Sequence, residues 1–311
     1  MNSNVKNKTI TIVSVTGDQD YAQGSVYSIE RSYEELQKKL PVENLKCLLI
    51  SPEKPKHIAD YVQHIRCKPF SYLEYNLFIL YALGDLIETD FALVVQNDGF
   101  VVNGNNWKDE FFDYDFIGAP LHCMFEYLKD GSLKQYHNEQ CNPFYKNMPA
   151  HFFEGQNGGF SLRSQRLLKL LRELNIKIQF PIPEPLSKGE NISLNYTSKS
   201  HNEDIVLTIL IRKQLSENNI KFAPPEISTY FACESAGIHH QRQILLSDVL
   251  GCHTFGYLIL TEKNKVYMQK KINFIQGDIA TNSWCKWLLT SGFSIDVPRQ
   301  FLEPKPSNNE T

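Results

Sequence analysis

Phe91-Ala-Leu-Val-Val-Gln-Asn-Asp98-Gly99 is an apolar run that breaks off into an amide, a carboxylate and a glycine. So short a run, with two valines and bounded by turn chemistry, reads as a buried strand. Asn-Asp-Gly ends it. Working back toward the N-terminus, residues 71–87 place Leu73, Leu77, Leu80 and Leu83 at helical spacing. Residues 45–50 read as another strand. Residues 25–40 carry Ile29, Tyr33, Leu36 and Leu40 at helical spacing, and residues 9–15 (Thr-Ile-Thr-Ile-Val-Ser-Val) are a β-branched strand. Strand, helix, strand, helix, strand is the alternation of an α/β domain with a mostly parallel sheet and helices on both faces. Ligands of such sheets bind beyond the carboxyl ends of the strands. Those ends here are residues 16–20, 51–54 and 96–99.

Downstream the pattern is less regular. Residues 115–118 read as a short strand. Gly155-Gln-Asn-Gly-Gly159 reads as a loop before a helix over 164–174. A Pro-rich loop over 180–186 and a long polar segment over 187–202 follow. The 188–200 part is expected to be a mobile cover over a ligand. Residues 204–215 read as a strong helix, 223–231 as a loop leading into a strand, and 257–260 with 266–269 as a hairpin.

Composition narrows the function classes. The 311-residue chain is 42% hydrophobic and 22% charged, with a net charge of −3. That describes a globular chain and argues against an electrostatic nucleic-acid binder, which is normally strongly basic. No apolar run nears the ~18–20 residues that a spanning helix needs. Residues 1–8 lack the apolar core of a secretory signal, so a cytoplasmic location, or a peripheral one at a membrane surface, is expected. Seven cysteines, an odd number with no Cys-x-x-Cys, favour free thiols over a disulfide framework or zinc ribbon. No linker divides the chain. One domain is expected over 9–302, with a C-terminal extension from about residue 261 and disordered ends over 1–8 and 303–311.

Four places carry chemistry. Asp98, delivered to the tip of an apolar strand, is a hard oxygen donor suited to Mg²⁺ or Mn²⁺, although the same residues also make an ordinary turn. Glu154-Gly-Gln-Asn-Gly-Gly-Phe-Ser-Leu-Arg163 contains adjacent glycines that allow close backbone approach, or simply leads into a helix. In His201-Asn-Glu-Asp204, Asn202 suits an N-cap, and the acids either complement the helix dipole or present a general base. A helix start there is expected to depress the Asp204 pKa. His253 lies in Gly251-Cys-His-Thr-Phe-Gly256, a constrained loop whose spacing carries no signature. Aromatics near Trp107 or Phe152 and Phe153 are candidates to stack on a ligand, although most aromatics belong to the core.

Taken in order, Val15-Thr16-Gly17, Val95-Gln-Asn-Asp98-Gly99, Tyr114-Asp-Phe-Ile-Gly-Ala-Pro120, Gly158-Gly-Phe-Ser-Leu-Arg163 and Asn202-Glu-Asp204 resemble a GT-A-fold glycosyltransferase. More closely, the chain is similar to a poorly characterised family of candidate bacterial and viral sugar transferases. There a Gln-x-Asp motif stands where other GT-A enzymes carry Asp-x-Asp. The resemblance runs from about Thr9 to Leu260. It implies a single Rossmann-like α/β domain with a mixed, mostly parallel sheet. It also implies transfer of a hexosyl or pentosyl group from a nucleotide sugar, UDP-linked, to a hydroxyl of a glycan or glycoconjugate. By that resemblance Asp98 binds Mn²⁺ or Mg²⁺, with Gln96 and Asn97 beside it and His253 completing the shell. Val15, Thr16 and Tyr21 line the nucleotide pocket, and Gly158, Gly159 and Phe160 border donor and acceptor. Asp204 is the base of an inverting reaction and Glu203 its alternative. Gln96 leaves the metal motif a single carboxylate. The competing readings are a non-catalytic nucleotide- or carbohydrate-binding module on the same fold, and a nucleotidyltransferase. The loop of residues 17–24, with neither Lys nor Arg, counts against the latter.

Overall fold

The computed structural model describes residues 8–137, 142–149, 151–178, 202–253, 258–262, 265–268 and 279–296. The expected cover over 188–200, the tail over 303–311 and nearly all of 1–8 lie outside these residues.

A seven-stranded sheet runs in the order β3-β2-β1-β4-β8-β6-β7. Its strands are β1 (Ile10–Val15), β2 (Leu45–Ser51), β3 (Val62–Arg66), β4 (Phe91–Val95), β6 (Phe116–Tyr127), β7 (Leu133–His137) and β8 (Phe152–Ser164). β3, β2, β1 and β4 are mutually parallel. β8 runs antiparallel to both β4 and β6, and β7 closes an antiparallel pair with β6. The fold is therefore α/β with a mixed sheet, parallel over the half that the strand–helix alternation predicts.

β1 and β4 are apolar almost without interruption because helices cover both faces. On one face Ile10 and Ile12 pack with Val26, Ile29 and Leu36 of α1 (Gln19–Leu36). On the other, Val13 and Val15 pack with Tyr75 and Ile79 of α2 (Tyr72–Tyr81). The alternation of β1 side chains between the two clusters is the period of two of a strand. α2 starts where Ser71 and Glu74 form a reciprocal capping box, and Asp18 accepts the Asp20 N–H at the start of α1.

Several local expectations are corrected. The Gly155–Gly159 stretch is not a loop but the interior of β8, which leads directly into α3 (Gln165–Glu173). The short strand expected at 115–118 is the start of the 12-residue β6. The helix expected over 204–215 is a helical turn over Glu203–Ile205, a π-helical stretch over Val206–Leu210 and a helix over Arg212–Glu217. The 223–231 segment is mostly helix, Pro225–Phe231, with Pro at the first turn, and it leads into β9 (Ala232–Cys233). Pro suits that position because its missing N–H has no partner there anyway. The expected hairpin is present as β11 (Leu258–Glu262) against β12 (Lys265–Met268).

A second sheet of three strands, β5-β10-β9, positions the site. β5 (Gly99–Val101) directly follows the Asp98 turn and pairs antiparallel with β10 (Gly251–His253), which sets His253 opposite Gly99. β9 pairs parallel with β10 and sets Cys233 opposite Cys252. Glu234 thereby arrives beside His253 although nineteen residues separate them in sequence.

Candidate active site

A cavity of about 930 Å³ opens beyond the carboxyl ends of β1 and β4. Val15, Thr16, Tyr21, Gln96, Asn97, Asp98, Gly159, Glu203, Asp204 and His253 line it, ten of the twelve residues singled out from the sequence. Gly158 sits just behind the wall, and Phe160 points into the core, fully buried. Trp107 is also core, so it stacks on no ligand.

His253 is the hub of the floor. Its Nε2 lies 3.1 Å from Asp98 Oδ1 and 3.2 Å from Gln96 Oε1, and its Nδ1 is 3.9 Å from Glu234 Oε1. Burial alone would lower the imidazole pKa, but the carboxylates of Asp98 and Glu234 outweigh it and raise it to about 10. Gln96 is oriented from its other end, donating through Nε2 to the Tyr75 hydroxyl at 2.9 Å. The Gln of the Gln-x-Asp motif thus joins α2 to the His253 imidazole.

Asp204 lines the same cavity. Its Oδ2 accepts the Gly158 N–H at 2.9 Å and its Oδ1 accepts the Ile205 N–H at 2.7 Å. These bonds favour the anion, which is the effect the sequence reading anticipated. Burial and the nearby charges of Glu203 and Glu234 work the other way and win, raising the pKa to about 7. The expected depression is therefore overturned: desolvation in a cluster of carboxylates outweighs two backbone donors.

Glu203 is turned to a different task. Both of its oxygens meet Arg163, which also donates to the Ser161 hydroxyl and the Gly158 carbonyl and lies over the Phe116 ring. Asn202 does not cap the helix with its side chain; the Glu203 N–H donates instead to Asn76 Oδ1 of α2 at 2.7 Å. The two glycines are needed by this packing. A Cβ on Gly158 would stand 2.1 Å from Glu203 Oε1, and one on Gly159 would stand 2.4 Å from His253 Nε2.

The lining residues that sequence reasoning missed include Tyr72, Tyr75, Asn76, Asn157 and Glu234. Asn76 left a trace, a polar residue on the apolar face of α2. Glu234 left none, because only the β9–β10 pairing brings it in. The donors around Asp98 are its own carboxylate, the Gln96 amide oxygen and the His253 imidazole, which must give up its proton to serve as one. Among the described residues no three His, Cys, Asp or Glu side chains converge on one point. That set suits an ion that takes one or two protein ligands and fills its shell with phosphate oxygens.

No curated protein sequence matches this chain. Among solved structures it aligns with the glycosyltransferase GlyE of Streptococcus pneumoniae TIGR4 at 14% identity and a TM-score of 0.38, covering 91% of this chain and 61% of that one. The apo form of GlyE aligns at 15% identity with the same TM-score. An active-site mutant of LgtC aligns at 11% identity and a TM-score of 0.41, covering 94% of this chain and 99% of the other. This chain thus spans about three-fifths of the GlyE structure, and at such scores no activity is transferred from either neighbour. The family model described as "Protein of unknown function (DUF5672)" matches residues 71–253, more than half the chain and the span that carries Asp98, Asp204 and His253, so the chain belongs to that family.

Proposed function

We propose that the chain is a glycosyltransferase that moves a sugar from a nucleotide-sugar donor to a hydroxyl acceptor, with inversion at the anomeric carbon. One observation carries the reading. A carboxylate at a strand tip, Asp98, and a carboxylate held near neutrality, Asp204, face the same cavity at the ligand-binding edge of an α/β sheet. Val15, Thr16 and Tyr21 at the end of β1 take the nucleotide, and UDP is the base-and-diphosphate group to try first. Asp98, with His253 and Gln96, would hold Mn²⁺ or Mg²⁺ at the diphosphate end of the donor. Such an ion offsets the charge that grows on the leaving phosphate.

Asp204 takes the proton of the acceptor hydroxyl. The hydroxyl oxygen then bonds to the anomeric carbon as the bond to the nucleotide breaks, and its electron pair leaves on the phosphate. A base with a pKa close to the working pH is well matched to that transfer. The backbone N–H groups of Gly158 and Ile205 fix its plane, which a general base requires.

The test is a panel of nucleotide sugars with and without Mn²⁺, read by thermal shift and by release of free nucleotide. Stabilisation that requires both a nucleotide sugar and the ion, lost in Asp98→Ala, is the expected result. Binding without any turnover, toward water or acceptor, would favour a non-catalytic module. Absence of any nucleotide-sugar binding would remove the proposal.

A further inference from the structure

Among the described residues of the second half, two arginines are buried and a third, Arg212, is half-buried. Arg163 holds Glu203, and Arg242 holds Glu154 at 2.7 Å, both pairs wholly enclosed. Arg212 has no such partner. It sits at the start of the helix that continues the π-helical stretch, with its guanidinium carbon 4.8 Å from the centre of the Phe153 ring and 4.1 Å from that of Phe222. Its Nη1 is sealed from water and has no hydrogen-bond partner among the described residues. The Tyr127 hydroxyl, from the end of β6, is likewise buried and unpartnered.

Both side chains line a second cavity, of about 470 Å³, together with Phe152, Phe153, Lys213 and Glu217. No residue lines both this cavity and the larger one. Glu217 is on the rim but forms no ion pair with Arg212. Burial raises the Tyr127 phenol pKa; the charge of Arg212 opposes that rise and the charge of Glu217 adds to it. Desolvation lowers the Arg212 pKa to about 10, which reflects a cation without an adequate counter-charge.

Arg212 is half-buried, but its Nη1 is sealed from water without a partner, and an anion that reaches it would supply the missing acceptor. The Phe153 and Phe222 rings within 4.8 Å of the guanidinium carbon restrict the side chain before any ligand arrives. The planar fork of an arginine matches the two oxygens of a carboxylate, and the Tyr127 hydroxyl offers a further donor. Glu217 opposes the second charge that a phosphate would bring. The remaining volume and the Phe152 ring suit a ring-sized ligand body.

We propose that the cavity between the β6–β8 end and the Arg212–Glu217 helix is a binding site for a small carboxylate ligand, such as an acidic sugar. Arg212 is its anchoring cation and Tyr127 its second donor. This does not depend on the chemistry of the larger cavity.

The experiment titrates the full chain with glucuronate, glucose and inorganic phosphate at fixed ionic strength, by calorimetry and by chemical-shift changes. Glucuronate is expected to bind saturably and glucose not at all. Arg212→Met keeps the side-chain stem between the two rings and removes the charge. It should weaken glucuronate by about tenfold or more, the scale of a charge-assisted hydrogen bond. Tyr127→Phe should weaken it by roughly two- to tenfold. It decides the matter if Arg212→Met does not fold. Asp98→Ala should bind glucuronate like the wild type. The proposal is overturned by an absence of saturable glucuronate binding or by unchanged affinity in both variants. Loss of binding in Asp98→Ala, or a preference for phosphate, overturns it as well.

Discussion

Arg163 and Glu203 face each other through two contacts of 2.8 Å, Nη2 to Oε1 and Nη1 to Oε2, with both side chains buried. A carboxylate paired in this way with a buried guanidinium is held as the anionic partner of Arg163 and is a poorer acceptor for a substrate proton than Asp204. It instead ties β8 to the helical turn that carries Asp204. Glu203→Gln should therefore be a stability variant before it is an activity variant. Breaking a buried pair from one side costs about 3–5 kcal/mol, because the remaining charge is left uncompensated. Urea unfolding should show that loss. The double variant Glu203→Leu/Arg163→Met should recover a large part of it. A Glu203→Gln protein of wild-type stability would mean that the pair contributes little.

Asp204 makes the stability of the protein depend on pH in a defined direction. Its pKa rises from 3.8 in the unfolded chain to about 7 in the fold. Across that window the folded state binds more protons than the unfolded state, so this residue's contribution to stability falls as pH rises from about 4 to about 7. Asp204→Asn removes the dependence. It also leaves one of the two backbone donors without a good acceptor, and that loss is the same at every pH. The difference in melting temperature between variant and wild type should therefore shift in the variant's favour between pH 5 and pH 8. A difference that is flat with pH would place the Asp204 pKa near its ordinary value.

Asp204→Asn should also lower turnover by roughly two to four orders of magnitude, the usual value of a general base. Donor and ion binding should be retained. The comparison to make is kcat in single-turnover conditions against the apparent donor affinity from thermal shift.

Glu234 holds the Asp204 pKa up through its charge. Neutralising it in Glu234→Gln should let that pKa fall. If Asp204 is the base, activity rises with pH as it ionises, and the rise should move to lower pH in the variant. An unmoved profile would separate Glu234 from the base.

Gly159→Ala would put a methyl group 2.4 Å from His253 Nε2. The strand backbone of β8 is the stiffer party, so the imidazole gives way and loses its contacts with Asp98 and Gln96. Mn²⁺-dependent nucleotide binding should weaken about tenfold or more, and the His253 ring resonances should shift. A variant with unchanged ring shifts would show that the strand yields instead.

The parallel half of the sheet was legible because β1, β2 and β4 are apolar runs separated by periodic helices. Asp98 was legible with them, since a carboxylate at a strand tip needs no tertiary information to be noticed. β8 was misread as a loop because its Gly-Gln-Asn-Gly-Gly composition is turn chemistry. Burial between β4 and β6, and the need to pass close to Glu203 and His253, override that composition. The Asp204 pKa was misjudged for a related reason. Helix-terminus effects are local and visible in sequence, whereas the burial that raises this pKa most, and the added charge of Glu234 just past β9, come only from packing between distant segments. Arg212 reads in sequence as one basic residue of a polar helix face, and only the rings of Phe153 and Phe222 single it out.

β8 changes register with β6 between Gly118 and Pro120, and in that gap the Gly158 amide is bonded to neither neighbouring strand. Its proton is held by the Asp204 carboxylate. Amides paired within the sheet exchange with solvent only as fast as the sheet opens, whereas this one also exchanges whenever Asp204 lets go. The Gly158 position is in this way a hydrogen–deuterium reporter on the Asp204 carboxylate bonded to it, readable without substrate or turnover.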